Sequence, residues 1–278
     1  MTTPSDAPDW RKMSRQELDR GLNNGDAVKN SEEIVASWDA GSAELRKRHP
    51  DHLDLRYGPR DRNRIDFLPA RKNAPTLLFI HGGYWQRRAK ENFSLFAEGP
   101  MAYGINVALI GYTLAPEATL DQIVAEIHAG IDFLVAQLPT LGGDDKGIVV
   151  SGWSAGGHLT AMALSHPRVA AGLAISGVFE LAPIRETYLD EKLRLTDDEV
   201  ATLSPLRLPV VQKPLAIAYG SNELAALVAD SRDLHARRSV AGAPGPLLPI
   251  MGADHFSILE ELRRPDGALV RAARELLG

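Results

Sequence analysis

The chain has 278 residues, 44% of them hydrophobic, and carries a formal net charge of −5 at pH 7. This length and composition suffice for a sizeable core, and the acidic balance gives no reason to expect nucleic acid or an anionic membrane as a partner. The absence of cysteine excludes disulfides, thiolate nucleophiles and zinc–thiolate sites. With no secretory signal and no apolar run long enough to span a membrane, a cytoplasmic location is expected.

The N-terminal 50 residues are polar and precede a different pattern. Residues 31–49 are predicted to form a helix with a sparse apolar face, followed by short strands at residues 53–57 and 65–68. From residue 76 onward, apolar runs typical of buried strands alternate with helical patterns. The predicted strands are residues 76–80, 106–110, 147–151, 172–176, 215–219 and 247–251, and the predicted helices are residues 120–138, 155–165, 225–240, 256–262 and 267–277.

This alternation predicts an α/β fold with a mostly parallel central sheet and helices on both faces. We interpret residues 1–278 as one domain in which residues 1–50 form a helical N-terminal segment. Residues 178–213 form a connection that is unusually long for a compact domain, and such connections are usually functional. They are predicted to form a small helical cap over the carboxyl edge of the sheet.

A glycine-flanked serine lies between a predicted strand and a predicted helix, in the sequence GWSAG at residues 152–156. G-x-S-x-G at a strand-to-helix turn is typical of a nucleophile elbow, which holds the serine in a strained conformation and exposes its hydroxyl. The glycines are also consistent with a simple tight turn. The position at a strand end favours Ser154 as a nucleophile, because ligands of open parallel sheets bind beyond the carboxyl ends of the strands.

A nucleophilic serine needs a base, and His255 is the best-placed histidine. It follows the last predicted strand, where the serine–acid–histidine chain order of this arrangement requires the base. His158 and His166 lie on the helix after the serine, and His235 lies within a charged amphipathic helix. A loop histidine that only caps its helix is the alternative interpretation of His255.

The acid that orients the base should follow the penultimate strand, where Glu223 is the first carboxylate. Asp230, about two turns into the next helix, is the fallback. Asp254 is a weaker candidate, because neighbours in sequence rarely reach the required side-chain geometry.

A second glycine-rich turn, HGGYW at residues 81–85, follows an earlier predicted strand. Loops of this type supply backbone N–H groups that stabilise the oxyanion of acyl transfer. Gly82, Gly83 and Tyr84 are the candidate donors, together with Ala155 after the nucleophile, whereas His81 is expected to order the loop. Two motifs of the same reaction type at two strand ends are more specific than either alone.

These residues resemble the alpha/beta-hydrolase superfamily, in the branch of the hormone-sensitive-lipase-like esterases and the kynurenine formamidases, or arylformamidases. HGGYW in place of HGGG is similar to the formamidase form. The resemblance covers most of the chain and is carried further by LDRGLNN (18–24), DLRYGP (54–59), YTLAP (112–116), GWSAGGHL (152–159), SGVFELAPI (176–184), LSPL (203–206) and DHFSILEEL (254–262).

The resemblance implies a substrate pocket lined in part by the cap. It makes Phe179 and Tyr188 candidate aromatic contacts, although a structural role would also explain them. Trp85, beside the oxyanion loop, is a candidate for packing an aromatic leaving group, with core packing as the alternative. Trp153 stands where the family often has histidine and is expected to shape the pocket. The acid position holds Glu223, whereas many relatives have aspartate.

The sequence therefore predicts a serine hydrolase that needs no cofactor or metal and acts on a small molecule. The resemblance implies an N-formyl or similar small-acyl aryl amide as substrate, with N-formylkynurenine as the precedent. A carboxylesterase acting on short-chain or aryl esters would use the same residues. A ligand-binding protein on a hydrolase scaffold is the alternative from another class. A homodimer is compatible with the sequence, which does not determine the oligomeric state.

Overall fold

The computed structural model describes residues 9–278, apart from the side chain of Asp145. Within the described residues, eight strands form one sheet: Leu55–Arg56 (β1), Arg64–Leu68 (β2), Ala74–Ile80 (β3), Asn106–Ile110 (β4), Gly143–Trp153 (β5), Val169–Ile175 (β6), Leu215–Gly220 (β7) and Leu247–Ile250 (β8). Their order is β1-β2-β4-β3-β5-β6-β7-β8. Strands β3 to β8 pair in parallel, whereas β2 is antiparallel to both β1 and β4.

The helices connect the strands and cover the sheet. The α-helices are Arg15–Gly21 (α1), Asn24–Ala27 (α2), Ser31–Arg48 (α3), Glu98–Ala102 (α4), Leu120–Leu141 (α5), Ala155–Ala163 (α6), Ala182–Arg185 (α7), Asp190–Leu193 (α8), Asp197–Leu203 (α9), Ala225–Val240 (α10), Glu260–Arg263 (α11) and Ala268–Leu277 (α12). Short 3-10 helices span Trp10–Lys12, Lys90–Ala97 and Ser257–Leu259. Among the helices of residues 9–278, none is long and apolar enough to cross a membrane.

The sheet is buried on both faces because alternate residues of its strands enter two separate hydrophobic clusters. In β3, Leu78 and Ile80 pack in the cluster that includes α5 and α6, whereas Leu77 and Phe79 pack in the cluster that includes α3 and α12. This two-sided burial explains why the strands appear in the sequence as continuous apolar runs. The predicted α/β class, with its mostly parallel sheet and helices on both faces, is confirmed.

The strands predicted from residue 76 onward all exist, with ends shifted by a few residues. The sequence prediction missed helices α1, α2 and α4 and the 3-10 helix Lys90–Ala97. Residues 256–262, predicted as one helix, form a 3-10 turn followed by α11. The two missed N-terminal helices have seven and four residues. Helices this short depend on tertiary contacts for their stability, which periodicity does not report.

Helix α3 packs against the body of the protein through Val35, Trp38 and Leu45, and Trp38 is 2% exposed. Trp38 makes an edge contact with Phe96 at 5.1 Å between ring centroids and with Trp153 at 5.6 Å. It also lies 5.9 Å from the ring of Phe256. Helix α3 therefore supports the loops that follow β5 and β8.

The connection between β6 and β7 contains α7, α8 and α9 and is attached to three other parts of the molecule. Gln86 donates a side-chain hydrogen bond to the carbonyl of Leu189 at 2.8 Å. The N–H of Tyr188 donates to Asp19 of α1, also at 2.8 Å. The ring of His158 in α6 bonds the carbonyl of Leu203 at 2.7 Å. These bonds fix the connection above the carboxyl ends of the strands.

Candidate active site

Ser154 occupies the sharp turn between β5 and α6 in a strained conformation, with φ 59° and ψ −118°. A non-glycine residue in such a region costs on the order of 1–3 kcal/mol, which the surrounding structure must offset. The turn approaches β3 so closely that a Cβ on Gly156 would lie 2.0 Å from the carbonyl oxygen of Ile80, and one on Gly152 would lie 2.2 Å from the carbonyl oxygen of Gly156. The spacing GWSAG thus corresponds to a steric requirement of this turn.

Ser154 and His255 line the same pocket, which has a volume of about 360 Å³. His255 lies in the loop after β8 and is 3% exposed. The indole Nε1–H of Trp153 donates to the carbonyl oxygen of His255 at 2.7 Å, and the two rings lie 4.7 Å apart. Trp153 therefore fixes both the backbone and the ring face of the histidine beside the serine.

Glu223 follows β7, and its side chain is fully buried. Its Oε1 accepts hydrogen bonds from the Ser176 hydroxyl and from the N–H of Gly220, the latter at 3.1 Å. Its Oε2 lies 3.8 Å from Nδ1 of His255, and neither of these two buried atoms has a hydrogen-bond partner within residues 9–278. A shift of about 1 Å would bring them within hydrogen-bond distance.

The two alternative acids are occupied elsewhere. Asp230 accepts hydrogen bonds from the N–H groups of Phe179 and Glu180 at 2.6 and 3.0 Å, and burial raises its pKa to about 7. Asp254 caps the following 3-10 turn by accepting from the N–H groups of Phe256 and Ser257. Glu223 is the carboxylate whose unpaired oxygen faces His255.

The HGGYW loop leaves backbone donors free at the pocket. Gly83 and Tyr84 line it, and Ala155 begins the helix after Ser154. Within residues 9–278, no acceptor takes a hydrogen bond from the N–H groups of these three residues. Gly82 is buried outside the lining, where the ring of Trp153 would contact any Cβ on it at 2.6 Å. The free donors are thus Gly83, Tyr84 and Ala155.

The phenol of Tyr84 connects this loop to the N-terminal segment. Its hydroxyl donates to the carbonyl of Leu22 and accepts from Nδ2 of Asn24 at 2.9 Å. Tyr84 is 4% exposed and has φ 50°, so its side chain holds an uncommon backbone conformation in place. The orientation of its N–H group therefore depends on residues about 60 positions earlier.

Two further histidines near the turn are buried and neutral. Burial lowers the pKa of His81 to about 4, and its Nδ1 contacts the carbonyl of Gly82 at 2.8 Å while its ring stacks on Tyr112 at 4.2 Å. Burial likewise lowers the pKa of His158 to about 4. His81 orders the loop through these contacts, as its position in the motif predicts. Among the described residues, no cluster of His, Asp or Glu is arranged to hold a metal ion.

The four aromatic residues expected to contact substrate divide into two pairs. Trp153 and Tyr188 line the pocket. Trp85 and Phe179 have no exposed surface and belong to the hydrophobic core, which favours the alternative, structural role for both. Trp85 has φ 57°, and its ring packs edge-on against His158 at 5.0 Å. A side chain enclosed on all sides has no surface to offer a ligand.

Sequence reasoning missed half of the pocket. We call the residues contributed by α2, α3 and the turn before them the N-terminal wall: Asn23, Asn24, Gly25, Asp26, Ser31, Glu32 and Val35. The strand-end wall consists of the residues that follow β3, β5 and β8: Gly83, Tyr84, Arg87, Arg88, Trp153, Ser154, His255 and Phe256. The arginines at 87 and 88 directly follow HGGYWQ, which is the one signal in the sequence that could have indicated them.

Comparison with known proteins agrees with this architecture. The family model BD-FAE matches residues 67–170. A kynurenine formamidase of Danio rerio is 25% identical, and the alignment covers 97% of this chain and 99% of the relative. The crystal structure of a thioesterase candidate from Silicibacter sp. TM1040 is 27% identical with a TM-score of 0.81, covering 93% of this chain and 99% of that chain.

A more distant structure, an esterase from Pyrobaculum calidifontis, has a TM-score of 0.71 at 16% identity and covers 94% of this chain and 96% of that one. At this identity the likeness concerns the fold alone. The near-complete alignment with the Danio rerio protein links the N-terminal segment, and not only the sheet, to the formamidase relatives. The chain therefore has the alpha/beta-hydrolase fold and resembles the kynurenine formamidases and related esterases over nearly its whole length.

Proposed function

We propose that this protein is a serine hydrolase that cleaves an N-formyl or similar small-acyl aryl amide, with N-formylkynurenine as the leading substrate. The observation that carries the proposal is the convergence of Ser154, His255 and three free N–H groups on one pocket. The relatives named kynurenine formamidase, which align over nearly the whole chain, support the choice of an aryl formamide.

In the proposed reaction, Oγ of Ser154 attacks the formyl carbon while Nε2 of His255 takes the hydroxyl proton. The carbonyl oxygen becomes an oxyanion, which accepts hydrogen bonds from the N–H groups of Gly83, Tyr84 and Ala155. Each such donor contributes roughly 3–4 kcal/mol to transition-state stabilisation in well-studied hydrolases. When the tetrahedral intermediate collapses, the C–N bond breaks and His255 gives its proton to the departing aryl amine.

Water completes the cycle. His255 takes a proton from water, whose oxygen attacks the formyl ester on Ser154, and collapse of the second intermediate releases formate and restores the serine hydroxyl. The carboxylate of Glu223 accepts a hydrogen bond from Nδ1–H of His255 and stabilises the imidazolium that forms in both steps. The 3.8 Å separation in the free enzyme shortens as that positive charge develops.

The connection between β6 and β7 acts in this proposal as the cap of the pocket. It contributes Tyr188 to the lining and is attached to the oxyanion-loop region through Gln86. A cap that excludes bulk water strengthens the electrostatic interactions within the pocket. The same residues serve a second candidate activity, hydrolysis of short-chain or aryl esters, which the esterase-like fold supports.

The two substrates can be compared on one enzyme preparation. We expect kcat/KM for N-formylkynurenine to exceed that for p-nitrophenyl acetate, and Ser154→Ala to abolish both activities while leaving the thermal unfolding midpoint within a few degrees. Measurable hydrolysis of the ester without any release of formate from the formamide would establish the esterase instead. Full retention of both activities in Ser154→Ala would refute the serine mechanism.

A further inference from the structure

The loop that follows β3 is strained well beyond the residues needed for an oxyanion hole. Between residues 83 and 88, four have positive φ: Gly83 at 117°, Tyr84 at 50°, Trp85 at 57° and Arg88 at 74°. Three of the four carry side chains, for which this region is uncommon and costs on the order of 1 kcal/mol or more each. The strain at Arg88 lies beyond the free N–H groups and requires a separate explanation.

The backbone at Arg88 directs its side chain along the oxyanion loop and into the pocket lining. Its Cγ lies 3.1 Å from the position that a Cβ on Gly83 would occupy. The guanidinium is half-buried, and burial lowers the pKa of Arg88. Within residues 9–278 it has no hydrogen-bond or ion-pair partner, whereas the neighbouring Arg87 is exposed and bonds to Tyr188.

The nearby carboxylates do not satisfy this cation. Asp39 is close enough to raise the pKa of Arg88, but it accepts a hydrogen bond from Asn92 at 2.8 Å. Asp26 of the N-terminal wall accepts from Asn23 at the same distance. Glu32, on the same wall, is exposed to solvent. A partly desolvated guanidinium with five N–H donors thus lines the pocket without an acceptor among residues 9–278.

We propose that Arg88 is a specificity-determining residue that binds a carboxylate on the leaving-group side of the substrate. This inference rests on the proposed function, because a formyl group is small and leaves the remainder of the pocket to the aryl amine. A planar guanidinium pairs with a carboxylate through two parallel hydrogen bonds. The preferred substrates are therefore aryl amides or esters whose leaving group carries a negative charge.

The test uses matched pairs of charged and neutral substrates. N-formylkynurenine is compared with 2-formamidoacetophenone, which keeps the aryl ketone and formamide but lacks the amino-acid group. 4-Acetoxybenzoate is compared with phenyl acetate. The pair that the enzyme hydrolyses, formamides or esters, is then measured in Arg88→Met. We expect kcat/KM for its charged member to fall about 10- to 100-fold. The neutral member should change less than about twofold.

Met at position 88 adopts the same backbone with a similar stem length, so the substitution removes the charge without adding a β-branched clash. Arg71→Met, at an exposed arginine outside the pocket lining, is the matched control and should alter neither substrate. Arg88→Lys should recover part of the loss, because it restores the charge without the bidentate geometry. In the unmodified enzyme, KM for the charged substrate should rise with ionic strength, and this dependence should weaken in Arg88→Met.

Equal losses on charged and neutral substrates, or no loss on either, would overturn the role of Arg88 while leaving the hydrolase proposal intact. The same holds if KM for the charged substrate is independent of salt in the unmodified enzyme. Failure of the proposed function has a different signature, since the unmodified enzyme would then hydrolyse none of the four compounds.

Discussion

The strand-end wall of the pocket is held by the sheet, whereas the N-terminal wall is held by the packed apolar side chains of α3 and a few side-chain hydrogen bonds. Ser154 is positioned by the backbone of β5 and β3, which approach so closely that glycine is required. Asn24 and its neighbours belong to a four-residue helix, and Asn24 is bonded to the Tyr84 hydroxyl. A site can thus combine a rigid wall that bears the reacting groups with a docked wall that closes the pocket.

Because of this difference, we expect substitutions in the two walls to affect different quantities, the rate of the reaction in one case and the stability of the fold in the other. Substitutions of the reacting groups of the strand-end wall, Ser154 and His255, or of Glu223 behind them, should lower kcat with little effect on the free energy of unfolding. Substitutions beneath the N-terminal wall should act first on stability. Substitutions at Glu223, Trp38 and Trp153 should distinguish the two effects.

The largest effect is expected for Glu223→Gln. The amide keeps the shape of the side chain but cannot stabilise the imidazolium of His255, and the analogous change in a well-studied triad lowers kcat about 10⁴-fold. We expect a fall in kcat of at least about a thousandfold, with the urea unfolding midpoint nearly unchanged. Asp230→Asn is the matched control, because asparagine still accepts from the N–H groups of Phe179 and Glu180. If Asp230→Asn has the larger effect on kcat, the assignment of the acid is wrong.

Trp38→Ala tests the N-terminal wall. Removal of a fully packed aromatic side chain costs about 3–5 kcal/mol, because the cavity relaxes only in part. We expect a loss of this size in the free energy of unfolding by urea denaturation. The control is Trp10→Ala, at a partly exposed tryptophan whose ring lies beneath the guanidinium of Arg11, where about 1 kcal/mol or less is expected. Similar losses in the two variants would show that α3 is not the support that its packing indicates.

The smallest effect is expected where the two walls meet, at Trp153. Trp153→Phe keeps an aromatic ring beside His255 but removes the N–H that bonds its carbonyl. A neutral hydrogen bond contributes about 0.5–1.5 kcal/mol, so kcat should fall roughly 3- to 10-fold with KM little changed. Trp85→Phe is the matched control, because its Nε1 is buried without a partner within residues 9–278. A larger loss in Trp85→Phe than in Trp153→Phe would contradict this positioning role.

The sequence was most informative where backbone geometry restricts the residue type. Only glycine fits beside the elbow at Gly152 and Gly156, so the motif marks the turn and the strand end. His255 could be identified as the base because it follows the last strand, where the serine–acid–histidine order of the chain places it. Glu223 could be chosen over Asp230 because it is nearer to the end of β7.

The N-terminal wall and the fate of the aromatic residues could not be predicted in the same way. Helix α2 has no periodicity to detect, and its place is determined by the bond between Asn24 and Tyr84. Whether Trp85 faces the pocket or the core depends on its positive φ, which turns the ring toward His158. Composition and motif spacing do not contain information about tertiary contacts of this kind.

The contact between Trp38 and Phe256 joins the first long helix of the chain to the loop of His255 near its other end. During synthesis, Trp38 emerges long before the segment that it will support, and non-local contacts of this kind form late because loop closure must precede them. The sheet between them can therefore assemble while the pocket is still open. Hydrolytic activity should therefore appear only when folding is complete. During refolding, the recovery of activity should lag behind the burial of the central strands.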